Sequence, residues 1–156
     1  MIDSERSSIE EIVREYKPEV EELVKFLPWL ERRSGNEVMR MYDPGVSGAI
    51  TMGIPVYDGT LLQFVKYLGQ TSFMNRNYMY VYRKYGIRTP KDELRIIARA
   101  DIGSMDILGA ILSRYTIQGR VKGAVWKEGM DNGVYLQTVK KLKELIEFWD
   151  MPIDNQ

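Results

Sequence analysis

Arg76, Tyr80 and Arg83 stand at i, i+4 and i+7 within Ser72–Gly86, SFMNRNYMYVYRKYG. On a helix this spacing gathers them on one face. A phenol ring between two guanidiniums suits an anion with a flat body. The ring stacks on the body, and the guanidiniums hold a phosphate or carboxylate. The same residues also read as a solvated face with one surface tyrosine, an arrangement that needs no ligand.

A second basic cluster lies in Ser113–Trp126, SRYTIQGRVKGAVW. A helix is expected to close at Gly119 and another to begin within a few residues. Arg114, Arg120, Lys122 and Lys127 surround that junction. Helix N-terminal amides beside Arg120 and Lys122 would form an anion site, and Trp126 would wall it or anchor a partner. The competing reading puts Trp126 in the core, with the cations capping carbonyls of the preceding helix. A helix-turn-helix-like element near 105–130 would make the chain a DNA-binding regulator. Its second helix, VKGAVWKEGMD, has two glycines and few base-reading side chains. A pI near 6.4 also argues against general nucleic-acid affinity.

The chain has no histidine and no cysteine. That removes imidazole bases, Ser-His-Asp systems, thiolate nucleophiles and His- or Cys-ligated metals. The remaining enzyme alternative is magnesium-dependent phosphate or nucleotide chemistry on carboxylates. Glu19 and Glu22 have suitable spacing but no matching second motif. Asp101 and Asp106 are five apart, which points them to different helix faces. A solvated acidic face and helix capping explain both pairs. The expectation is therefore no catalytic residue, no metal ligand and no cofactor.

The elements that must carry these residues follow from periodicity. Residues 4–33 read as N-terminal helices, with Ser4 or Ser7 as cap and Pro18 kinking the first segment or starting a second. Ser34-Gly35-Asn36 stops them. Residues 37–57 read as a short β-hairpin around the turn DPGVSG, and Pro55 confines its second strand to an edge. Asp58 or Thr60 caps a helix over 61–68, with Leu61, Leu62, Val65 and Leu68 inward. The tyrosine helix follows over 72–86, with Met74, Tyr78, Val81, Tyr82 and Tyr85 as its core stripe and Gly86 as its left-handed end. Thr89-Pro90 opens a helix with Leu94, Ile97 and Ala98 inward and Arg95 and Arg99 outward. Asp101 or Ser104 starts the next, burying Ile107, Leu108, Ile111, Leu112 and Tyr115. A short helix over 121–130 and a last one over 134–150 complete the set. Tyr135, Val139, Leu142, Ile146 and Trp149 share the inner face of the last.

At 156 residues, 44% hydrophobic and 28% charged, the chain is expected to be one globular domain. The expected fold is mainly α, a compact bundle of six or seven helices with one hairpin near residues 37–57 and a helical core over 59–150. No run of about 18 apolar residues suggests a membrane span, and the lack of cysteine fits a cytoplasmic protein. The zero net charge is uneven. Residues 1–58 hold 7 Lys/Arg against 12 Asp/Glu, residues 59–128 hold 12 against 5, and residues 129–156 hold 3 against 5. The basic middle either steers an anion or satisfies the acidic ends within the molecule.

The motifs GAITMGIPVYDGTLLQFV, NYMYVYRKYG and LSRYTIQGRVKGAVWKEGMDNGVYLQTVKKLKEL, in that order, resemble a family of small proteins of unknown function from bacterial and phage genomes. The resemblance covers roughly residues 48–149. It implies a bacterial or phage setting and carries over no catalytic residue. The function expected from the residues is binding or regulation without catalysis. A basic, aromatic-lined surface (Arg76, Tyr80, Arg83, Arg114, Arg120, Lys122 and Trp126) would take an anionic, nucleotide-like ligand or an acidic protein partner. By analogy, an inhibitory role in phage–host conflict fits that setting.

Overall fold

The computed structural model describes residues 2–33, 38–42 and 54–151. Among these, eight α-helices form a mainly α fold. They are α1 (Ile2–Val24), α2 (Leu27–Arg32), α3 (Gly59–Leu68), α4 (Tyr78–Tyr85), α5 (Pro90–Arg99), α6 (Met105–Val121), α7 (Ala124–Asp131) and α8 (Val134–Asp150). Strands β1 (Met39–Tyr42) and β2 (Ile54–Tyr57) pair antiparallel, with Met39 opposite Tyr57 and Tyr42 opposite Ile54. The turn expected at 43–48 and the stop at 34–36 lie outside the described residues.

Helix α6 is the centre. Leu108, Ile111, Leu112 and Tyr115 are buried as the periodicity predicts, and so are Gly109, Ala110, Ser113, Thr116 and Gly119. The side carrying Asp106, Ile107, Arg114, Ile117, Gln118 and Val121 is incompletely covered, and the rest of the circumference packs as an interior helix does. Small residues let its neighbours come close. α8 lies beside it and touches α1, α2, α5 and α7. One hydrophobic cluster runs from Val13 in α1 through Phe64, Leu112 and Tyr135 to Ile146. Phe64 gathers Phe26, Trp29 and Tyr135 edge-on or tilted at 5.1–5.9 Å between ring centres.

Several local expectations are corrected. α1 is under way at Ile2, so Ser4 and Ser7 lie within it, and it runs through Pro18 to break at Lys25–Phe26. Of the two caps considered for α3, Asp58 serves, accepting the N–H groups of Thr60 (2.7 Å) and Leu61 (3.1 Å). Leu62, Tyr85, Ala98 and Trp149 face solvent, and Ile107 is half-buried. α6 does not close at Gly119 but continues to Val121. The Trp126 ring lies over Gly119, where a Cβ would fall 2.1 Å from ring atoms. Glycine is there for clearance, not for termination.

Candidate functional site

The tyrosine helix is shorter than its periodicity suggests. Residues 72–77 form turns, because polar side chains offer them other hydrogen bonds. The Ser72 N–H donates to the Glu19 carboxylate (2.9 Å), the Asn75 N–H to Ser113 Oγ (2.8 Å), and the Asn77 N–H to Asn75 Oδ1 (2.8 Å). Gly109 lets this loop lie on α6, since a Cβ there would meet the Phe73 carbonyl oxygen at 2.7 Å. Helix α4 then runs only from Tyr78 to Tyr85 and ends at Gly86 with φ 66°.

Beneath α4 sits a buried polar network. Glu93, on the first turn of α5, is 1% exposed. It accepts hydrogen bonds from the Tyr82 and Tyr115 hydroxyls and pairs with Arg114 at 3.2 Å. The Arg114 guanidinium lies 4.8 Å from the Tyr115 ring centre and 5.9 Å from that of Tyr82. Asn132 donates to the Tyr115 hydroxyl at 2.9 Å. Burial, then Glu93, pushes the Tyr82 hydroxyl far above the ordinary tyrosine pKa. Burial and the hydrogen bond to Glu93 do the same for Tyr115. Desolvation opposes the charge on Arg114, but Glu93, then Tyr115 and Tyr82, outweigh it and raise its pKa. The network joins α4, α5, α6 and the α7–α8 turn. It accounts for both oxygens of Glu93, so its chemistry is cohesive.

This changes the candidate set. Arg114 is engaged inward by Glu93. Trp126 is buried, donating from Nε1 to the Thr116 carbonyl at 3.2 Å with its ring edge-on to Tyr57. Neither offers a free surface. Arg76, Tyr80, Arg83, Arg120 and Lys122 are exposed, Tyr80 by 69%. The two basic clusters share a seam. Gln118 Nε2 donates to the Tyr78 hydroxyl at 3.0 Å, two residues from Arg120 on one side and two from Arg76 on the other. The Arg120 guanidinium covers Gly69, at the start of the same loop.

Most cations of this region form no ion pair among the described residues. Of the twelve between residues 59 and 128, only Arg95, Arg114 and Lys127 form ion pairs among the described residues. Glu22 pairs with Lys25 and Glu19 holds Ser72. Asp101 caps the 3₁₀ turn Ile102–Ser104, and no group of three or more acidic side chains among the described residues is placed to hold a metal. Helix α7 buries Val125, Trp126, Gly129 and Met130 and exposes Glu128 and Asp131, which would repel a phosphate backbone.

Sequence reading missed Glu93. Its signal was weak: Glu93 precedes the inward Ile97 by one turn, on the same face, within a run that otherwise reads as solvated. No helix among the described residues is long and apolar enough to cross a membrane. Comparison with protein-family models, with curated proteins and with solved structures finds no match to this chain.

Proposed function

We propose that the chain is a binding protein, without catalysis of its own, that takes an anionic ligand or an acidic protein surface on the outer face of α4. Tyr80 and Arg83 form the centre of this face, Arg76 adjoins it from the turn that leads into α4, and Arg120 and Lys122 extend it across the Tyr78–Gln118 seam. The observation that supports it most is the set of exposed cations, without ion pairs among the described residues, around an outward tyrosine. Desolvated charge is costly and solvated charge is cheap, so these groups remain available for a partner. In the bacterial or phage setting that the sequence resemblance implies, the role this surface fits is sequestration of an acidic macromolecule.

The test is thermal stabilisation by polyglutamate, by a mononucleotide, by single-stranded oligothymidylate and by duplex DNA, each over a salt series. Binding to at least one of the first three should be saturable and weaken with salt. Arg83→Ala and Arg76→Ala should abolish it without lowering the melting temperature of the free protein. An equal fall in that temperature would make them structural residues. Absence of binding to any of the four probes refutes the reading.

A further inference from the structure

Helix α8 presents a second face that the anion-binding reading does not use. Gln137, Lys140, Glu144, Glu147 and Met151 recur at steps of three and four residues along its outer side. With Phe148 they line an open groove of about 1400 Å³, walled by Leu27 of α2 and Leu94 of α5. At its end Phe148 is 62% and Met151 61% exposed, and Trp149 is exposed beside them, its ring 5.0 Å from that of Phe148. Three large apolar side chains clustered in water mark an interaction surface.

The order of charges says what kind. Lys140, Lys141 and Lys143 come first along α8, then Glu144, Glu147 and Asp150. The first turn has no acidic residue and the last turn no basic one. This opposes the helix dipole, which favours anions at the start and cations at the end. A partner helix running antiparallel reverses that penalty, because it brings the complementary charges to both ends. A helix with one positive and one negative half is complementary to itself in that orientation.

We propose that α8 packs antiparallel against α8 of a second copy of this chain across a two-fold axis. A register centred between Lys143 and Glu144 sets Lys140 opposite the partner's Glu147 and Lys143 opposite the partner's Glu144. The symmetry repeats both pairs. Moving the centre onto Glu144 would set that carboxylate against itself. The existing Lys143–Glu147 bridge (3.0 Å) lies on the exposed surface, so exchanging it between copies costs little, and Lys141 keeps its bond to the Ala98 carbonyl (3.1 Å) when Glu144 turns from it (3.2 Å) to the partner. Lys140 has no ion-pair partner among the described residues. In this register the Phe148 and Met151 of each copy reach the Gln137 end of the other's groove and leave water.

Light scattering on a size-exclusion column, over a concentration series, reads the state directly. The wild-type chain should move to the dimer mass as concentration rises. Phe148→Asp should remain monomeric with an unchanged far-ultraviolet circular dichroism spectrum. Lys140→Glu should weaken the dimer at least tenfold, and adding Glu147→Lys to it should restore most of the affinity, because the swap preserves complementarity across the axis. A wild-type chain that is monomeric throughout overturns the proposal. So does a dimer indifferent to both Phe148→Asp and Lys140→Glu, which would lie on another face. A monomer whose groove retains a foreign protein until Phe148 is changed would assign the groove to a heterologous helix, and also overturns it.

Discussion

Replacing Glu93 with leucine should be among the most damaging single changes in the chain. The carboxylate is 1% exposed and holds the Tyr82 and Tyr115 hydroxyls and the Arg114 guanidinium. Removing one side of a buried ion pair costs about 3–5 kcal/mol, because the other charge is left without compensation. Two features pull toward the lower end. The Arg114 side chain is partly solvent-exposed and can turn toward water, and the Tyr115 hydroxyl keeps its bond from Asn132. At this chain length such a loss lowers the melting temperature by roughly 6–20 °C. Arg114→Leu should cost a similar amount, since Glu93 cannot reach water. The double variant removes both charges together, so it should be more stable than the sum of the singles implies by about 1–3 kcal/mol. Urea denaturation of wild type, both singles and the double gives this cycle. Additivity within about 0.5 kcal/mol, or a Glu93→Leu cost below about 1 kcal/mol, would refute the view that this network is a coupled unit.

The three buried tyrosines predict an alkaline limit. Burial first, then Glu93 for Tyr82 and Tyr115, raises their folded pKa above the ordinary value of 10.0. Above pH 10 the folded chain therefore binds more protons than the unfolded one. The stability these tyrosines contribute is intact below pH 10 and lost above it, by about 3 kcal/mol together between pH 10 and 11. Phenolate absorbance should show the signal of Tyr82, Tyr115 and Tyr135 appearing only with unfolding. A single titration of all ten would refute this. Gly119→Ala should cost about 2–4 kcal/mol, read as a lower urea midpoint, since its methyl would displace the Trp126 ring and break the bond to Thr116. Gly59→Ala, with no atom within 4 Å, should be neutral within about 0.5 kcal/mol or slightly stabilising; an equal loss at both sites would refute the clearance argument.

How much was legible varied with how local the cause was. The bounds of α8, the Thr89-Pro90 start of α5 and the left-handed Gly86 depend on residues within a turn of each other, and periodicity and capping chemistry expose them. The truncated start of α4 depends on Glu19 and Ser113, 53 and 38 residues away from the groups they bind. No window centred on Ser72–Asn77 contains that information. Likewise Leu62 and Trp149 lie at the edges of apolar stripes, where the neighbouring helix alone decides whether an edge is covered.

The sequence by itself determined the helical class, the basic middle between acidic ends and the absence of imidazole and thiol chemistry, because composition and short-range periodicity suffice for each. Helical spacing also put Tyr80 and Arg83 on an outward edge, while Arg76, expected on the same helix, is exposed on the turn before it. Only the tertiary structure decided which cations are free. Arg114 and Arg120 read alike in the chain, yet Arg114 is drawn inward by a buried glutamate from a different helix while Arg120 remains at the surface beside Gly69. The physical reason is that burial and charge pairing belong to side chains that meet across long sequence separations. A residue's availability for a partner is set there and not in its local run.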